Sequence, residues 1–152
     1  MRKHIVLDLD NTLVHSIFNT NGTFRVYKRP GLKRFLETLF RHTLSVSVWS
    51  AGTRPYVLTV VKKIFNPYQF NRLRFIYSRD HTTNLNQMPV KNLMLMINQK
   101  KDMTRKNTIL IDDRHEHLIF NAGQMYIIPE WTYWKKDCHL EKLRFKILAG
   151  KL

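Results

Sequence analysis

Asp8 and Asp10 stand two residues apart where the apolar run Ile5-Val6-Leu7 gives out, with Asn11 and Thr12 directly after them. In an extended strand, side chains i and i+2 face the same side, about 6 to 7 Å apart at roughly 3.3 Å of rise per residue. Two like charges that close repel, so the pair calls for a cation or a shared proton. Such a pair can hold Mg²⁺ through hard oxygen ligands while one carboxylate attacks phosphorus. A solvated strand end built from turn-favouring Asp and Asn has the same composition, so the pair alone does not decide. A second apolar run, Ile109-Leu110-Ile111, ends in Asp112-Asp113. Acids beyond the carboxyl ends of two strands are what an open parallel sheet offers for a site.

The elements that must position these acids follow from hydrophobic spacing. His4 to Leu9 reads as a first strand and Leu44 to Trp49, rich in Val, as a second. Phe75 to Ser78, Thr108 to Ile111 and Gln124 to Ile128 read as three more. Asn21-Gly22 signals a hairpin turn, with a short strand from Thr23 to Tyr27. Pro30-Gly31 opens a helix through about Arg41 carrying Leu32, Phe35, Leu36 and Leu39 on one face. Arg54 to Phe65 reads as a helix with Tyr56, Val57, Val60, Val61 and Ile64 on its apolar side, and Asn66-Pro67 ends it. Val90 to Asn98 reads as a helix, Gln99 to Asn107 as a basic loop, and His139 to Leu148 as a closing helix. Alternating strands and helices predict an α/β domain with a mainly parallel sheet flanked by helices. No repeat or linker divides the chain, so residues 1–152 are expected to form a single domain.

Composition narrows the class. Apolar residues make up 43% and aromatics 12%, a globular balance. No run approaches the roughly 18 apolar residues of a membrane span, and Asp8 and Asp10 interrupt the opening apolar stretch before a signal-peptide core forms. The expected location is inside a cell, in nucleus or cytoplasm, with no membrane partner. Cys138 is the single cysteine, so neither an intrachain disulfide nor a cysteine zinc cluster is available. It lacks a Gly-rich cradle, which argues against a thiol phosphatase. The charge is the outlier: 26 Lys and Arg against 11 Asp and Glu, net +15. Such a field attracts polyanions, whether nucleic acid or phosphorylated protein.

The run Asp8-Leu9-Asp10-Asn11-Thr12-Leu13-Val14-His15-Ser16 resembles the first motif of the haloacid dehalogenase superfamily. More narrowly, it is similar to the branch of phosphatases acting on the C-terminal domain of RNA polymerase II. The resemblance implies a Rossmann-like fold, with Asp8 as nucleophile, Asp10 as general acid and base, and Thr12 in a supporting place. Val48-Trp49-Ser50-Ala51-Gly52 resembles the second motif, in which Ser50 binds the phosphoryl oxygens. Ser50 brings a hydroxyl donor, and Gly52 lets backbone N–H groups approach an anion. Lys91, in Pro89-Val90-Lys91-Asn92-Leu93, stands where the branch carries the lysine that neutralises the phosphoryl group and orients the nucleophile. Arg79, in Ser78-Arg79-Asp80, matches a substrate-contacting element, and Phe18 and Tyr56 match two aromatics of a pocket that reads a substrate proline.

The likeness implies Mg²⁺ bound by Asp8, Asp10 and Asp113, with Asp112 beside them; which of Asp112 and Asp113 touches metal stays open. Lys28-Arg29-Pro30-Gly31 and Trp131 match the branch in structural places, and His15 and Ser16 need no chemical role. His115 and His117, two residues apart after Asp113, are weak metal candidates. Between Ser16 and Lys28 the branch carries a longer insertion, whereas here Ile17 to Tyr27 suffice for one hairpin. That predicts no large cap and an open site with relaxed sequence preference. The expected activity is Mg²⁺-dependent hydrolysis of phosphoserine or phosphothreonine in proteins, the RNA polymerase II C-terminal domain among the candidate substrates. A chain this compact also fits a virus-encoded member aimed at host transcription. Two alternatives stand beside it: a phosphatase for nucleic-acid ends or small phosphoesters, and a non-catalytic module binding phosphoprotein or nucleic acid.

Overall fold

The computed structural model describes residues 1–152. Its centre is a parallel sheet of five strands: β1 (His4–Leu7), β4 (Ser45–Trp49), β5 (Ile76–Tyr77), β8 (Thr108–Asp112) and β9 (Met125–Ile127), in the order β5-β4-β1-β8-β9. All four residues of β1 are buried, as a strand covered on both faces requires. Alternation splits them between two layers. Ile5 and Leu7 face a core shared with Val46, Val48 and Ile111, while Val6 faces the other side with Trp49 and Leu110.

Helices seal both faces. α1 (Leu32–His42) buries Leu32, Phe35, Leu36 and Leu39, and α2 (Arg54–Ile64) buries Val57, Val60, Val61 and Ile64. α6 (His139–Leu148) packs on α1 through Leu140 and Leu143. On the opposite face, α4 (Leu93–Ile97) contributes Leu93, Met96 and Ile97. The α/β architecture expected from the strand and helix pattern is the one observed. Only hairpins are added to it, with no large cap: β2 (Val14–Phe18) pairs β3 (Phe24–Lys28), and β6 (Thr83–Leu85) pairs β7 (Met88–Val90).

Several boundaries differ from the sequence reading, each for a local reason. The helix expected over Val90 to Asn98 is confined to Leu93–Ile97, because Val90 belongs to β7. Asn86 and Gln87 both take positive φ, 50° and 66°, the conformation a tight two-residue hairpin loop needs. Asn92 then starts α4 by accepting the N–H of Met94. Pro30 precedes α1 instead of sitting in its first turn; Gly31, at φ 82°, is the cap. Asn66 does close α2, but it also caps an unforeseen helix, α3 (Pro67–Asn71), by accepting from the Gln69 N–H. A further short helix, α5 (Leu118–Asn121), follows β8.

Candidate active site

β1 is flanked by β4 on one side and β8 on the other, so the chain reverses its direction of sheet growth at β1. A cleft of about 560 Å³ opens there, beyond the carboxyl ends of the strands, where α/β sheets bind ligands. Ten residues singled out from sequence line it: Asp8, Asp10, Phe18, Ser50, Gly52, Tyr56, Arg79, Lys91, Asp113 and His117. Asp112 and Thr12 lie just beneath, both fully buried.

The first loop is shaped by one carbonyl. Leu9 O accepts from the N–H groups of Thr12, Leu13 and Val14, and Asn11 turns the chain at φ 60°, a left-handed conformation that Asn tolerates better than most residues. Arg29, buried, anchors this loop. It donates through Nη1 to Thr12 O (3.0 Å), through Nη2 to Pro129 O (2.8 Å), and through Nε and Nη2 to both oxygens of Asp137 (2.8 Å each). The structural place read for Arg29 is therefore that of a tie between the acid loop, the segment after β9 and the start of α6.

Asp8 is 6% exposed and fixed from two sides. Lys91 Nζ donates to its Oδ1 at 2.6 Å and Thr12 Oγ1 to its Oδ2 at 2.7 Å. The same ammonium reaches Asp112 Oδ2 at 2.5 Å. Burial opposes the charge on Lys91, but the carboxylates of Asp112 and Asp8 outweigh it and hold its pKa above the ordinary value. Burial first, then the charge of Asp112, raises the Asp8 carboxyl; Lys91 and Thr12 work the other way.

Oxygens of Asp8, Asp112 and Asp113 come within 4.8 Å of one another. Three carboxylates against one ammonium leave an excess of negative charge in a partly dry place. Asp113 registers it: burial, then Asp8 and Asp112, push its carboxyl up to about 7. Hard oxygen donors with unmatched charge fit a divalent ion such as Mg²⁺. Asp112 has both oxygens engaged, by Lys91 and by the Arg114 N–H (2.9 Å). Asp113 meets only Thr12 Oγ1, at 3.1 Å through Oδ1, so it is the acid with a free oxygen. Asp10, read from sequence as a third ligand, has its carboxylate outside this cluster. Tyr56 Oη hydrogen-bonds Asp10 Oδ1 instead, and also contacts Ser16 Oγ at 2.6 Å. Burial raises the Asp10 carboxyl against that hydrogen bond; burial and the Asp10 charge raise the Tyr56 hydroxyl, which therefore keeps its proton and acts as a donor.

The β4 end supplies the opposite wall. Ser50 is buried and accepts the Gly52 N–H through Oγ at 3.0 Å. A Cβ at position 52 would meet the Tyr56 ring at 2.8 Å, so glycine leaves room for that ring. Arg79 is exposed but tethered, its Nε donating to Ala51 O at 2.8 Å. Phe18, Phe24 and Tyr56 form an aromatic cluster at the hairpin, with centroids 5.0 to 5.6 Å apart.

Two residues of the site went unread as its supports. Asn121 donates through Nδ2 to Lys91 O at 2.8 Å and accepts the Leu93 N–H at 2.9 Å. His117, considered above only as a metal candidate, accepts the Lys91 N–H through Nδ1 at 3.2 Å. With Nδ1 accepting, the ring proton sits on Nε2, which faces Asp112 Oδ2 at 3.6 Å. Burial, followed by the charges of Lys91 and Arg114, lowers the His117 pKa to about 4, so the ring is neutral. Both residues clamp the backbone of Lys91 from the segment after β8, a relation visible only once the chain folds.

A parallel sheet with an acid-lined cleft at its switch point is an arrangement this chain shares with phosphatases of the haloacid dehalogenase type. Residues 3–150 match the family described as NLI interacting factor-like phosphatase, and the chain belongs to that family. It is 34% identical over 135 residues to TIM50, the mitochondrial import inner membrane translocase subunit of Phytophthora infestans, covering 89% of this chain and 31% of that protein. The chain thus spans about a third of the length of that relative. It is 27% identical over 140 residues to the CTD phosphatase-like protein 355R of Invertebrate iridescent virus 3, covering 74% of this chain and 75% of that protein. Among solved structures, the RNA polymerase II CTD phosphatase Fcp1 superposes with a TM-score of 0.62 at 18% identity, over 99% of this chain and 49% of Fcp1. A 3-deoxy-D-manno-octulosonate 8-phosphate phosphatase from Moraxella catarrhalis, in complex with magnesium and phosphate, gives 0.65 at 12% identity over 99% of this chain and 87% of that one. These two likenesses are of fold. No helix here is long and apolar enough to cross a membrane.

Proposed function

We propose that this chain is a Mg²⁺-dependent phosphatase that hydrolyses phosphoserine and phosphothreonine in proteins through a phosphoryl group carried on Asp8. The observation that carries the reading is the fixed Asp8 carboxylate, held by Lys91 and Thr12 on the floor of a cleft that also contains Asp10, Ser50 and Asp113. Asp8 and Asp113 would hold the ion. When bound, Mg²⁺ draws negative charge off the phosphoryl oxygens.

The residues then divide the work. Asp8 attacks phosphorus in line, forming the Asp8–O–P bond as the bond to the serine or threonine oxygen breaks. Asp10 gives its proton to the departing alkoxide. In the second half, Asp10 takes a proton from water, whose oxygen attacks phosphorus and releases Asp8. Tyr56, donating to Asp10, aims this acid at the leaving group. Lys91 and Ser50 offset charge on the transferring group, while Asp112 and His117 keep Lys91 in place. Arg79, at the rim, meets the substrate near its phosphate.

The substrate class rests on the open cleft and the net charge of +15, which draws anionic chains toward it. The RNA polymerase II C-terminal domain, implied by the resemblance of the first motif and in keeping with the CTD phosphatase-like name of the iridescent virus relative, is one candidate. The translocase names of other relatives favour a second, non-catalytic reading; the complete set of Asp8, Asp10, Lys91 and Asp113 weighs against it. The test is hydrolysis of an aryl phosphate and of phosphoserine peptides with Mg²⁺, beside Asp8→Asn and Asp10→Asn. Loss of turnover in both variants is expected; turnover unchanged in Asp8→Asn would overturn the reading.

A further inference from the structure

Four rings gather on the surface beside the mouth of the cleft. Tyr27 stacks on Tyr133 with centroids 4.2 Å apart and planes at 18°. His15 stacks on the same Tyr133 at 6.2 Å, and Trp134 meets His15 and Tyr133 edge-on at 5.5 and 5.1 Å. The rings come from distant parts of the chain. His15 and Tyr27 are partners across the β2–β3 hairpin, whereas Tyr133 and Trp134 lie in the loop after β9. Trp134 is 64% exposed and Tyr133 43%. Exposed Lys135 and Lys136 follow Trp134. The next acid, Asp137, is already engaged by Arg29.

We propose that this aromatic shelf binds single-stranded nucleic acid, receiving bases on Tyr133 and Trp134 and phosphates on Lys135 and Lys136. Flat rings interleaved with ammonium groups suit a strand that is apolar on its base faces and anionic along its backbone. An acidic peptide would satisfy the lysines but leave the Trp134 ring without a flat partner. A second copy of this chain would bring another +15 of charge to the same face. The shelf adjoins the cleft through Asn11, whose Oδ1 contacts His15 Nδ1 at 2.9 Å and whose carbonyl accepts the Trp131 N–H at 2.8 Å. This inference does not depend on the phosphatase reading.

Of the three tryptophans, Trp49 and Trp131 are buried, so fluorescence quenching by added bases reports on Trp134. The probe is a 5′-hydroxyl oligothymidylate, which carries no end phosphate for the cleft, titrated into the full chain and into its Asp8→Asn variant at several salt concentrations. Saturable quenching in both proteins is expected, with affinity falling as salt rises. By anisotropy of labelled oligonucleotide, Trp134→Ala should weaken binding roughly 5- to 150-fold, the range for loss of one stacked base. Lys135→Ala with Lys136→Ala should flatten the salt slope by about 1.4. Thermal unfolding of each variant is compared with the parent, and Lys62→Ala with Lys63→Ala, on exposed α2 positions, serves as the charge control. Three results would each overturn the proposal: no quenching at low salt, binding as sensitive to the control pair as to the shelf lysines, or quenching by an acidic phosphopeptide but not by the oligonucleotide.

Discussion

Asp10 and Tyr56 show how one hydrogen bond can be read as a role. Tyr56 Oη donates to Asp10 Oδ1, and its ring is shared with Phe18 and Phe24. Tyr56→Phe keeps the ring and removes only the donor. On the mechanism proposed above, the loss falls on proton delivery. Turnover of an alkyl phosphoserine peptide should drop about tenfold, while an aryl phosphate, with a better leaving group, should lose much less. Equal losses on both would separate Tyr56 from proton transfer. A second expectation concerns Lys91, whose backbone is held by His117 and Asn121. A 1 Å shift of such a group costs on the order of 100-fold in rate, so Asn121→Ala should lower kcat about 10- to 100-fold with KM little changed, measured in steady-state kinetics. At this scale the sequence was generous with acids and poor in supports. Asp8, Asp10 and Asp113 announce themselves by ending apolar runs; His117 and Asn121 matter only because α5 folds over Lys91.

At the level of elements, the legible parts were those with a clear period. α1 and α2 followed from apolar residues at helical spacing, and the core strands from Val- and Ile-rich runs. β6 and β7 did not, because Asn86 and Gln87 turn the chain without a glycine, and the apolar Val90 looked like the start of α4. The join between elements was equally hidden: Arg29 and Asp137 meet across 108 residues. Their pairing carries a pH signature. Burial works against the Asp137 charge, but hydrogen bonds from Arg29 and His139 outweigh it and hold the carboxyl at about 2. A carboxyl depressed in the folded state stabilises fully above its unfolded value of about 4 and loses that contribution as pH falls toward 2. Denaturant unfolding followed from pH 5 to pH 2 should show this loss, and Asp137→Asn should flatten it. Asp137→Ala strands the buried guanidinium and should cost about 3 kcal/mol at neutral pH.

Over the whole molecule, charge and openness set expectations for substrate. A net +15 field accelerates encounter with anionic chains and is screened by salt. The kcat/KM for a multiply phosphorylated peptide should therefore fall steeply between 50 and 300 mM salt, on the order of tenfold, while that for a small aryl phosphate changes little. The short β2–β3 hairpin leaves Phe18 63% exposed, so the aromatic cluster offers one face and not an enclosed slot. Ser-Pro and Ser-Ala phosphopeptides should be turned over at similar rates; a steep preference for proline would contradict the open-site reading.

The central place of β1 also has a consequence for birth of the protein on the ribosome. Within this sheet, the strand both halves lean on is translated before those that pair with it, and its partner Ile111 follows Leu7 by 104 residues. At roughly 5 to 20 residues per second, the nascent segment bearing Asp8 and Asp10 waits on the order of 10 s for that neighbour. Stalled nascent chains lacking β8 should stay protease-sensitive throughout the segment from β1 to α4, and resistance should appear in one step once β8 has cleared the exit tunnel.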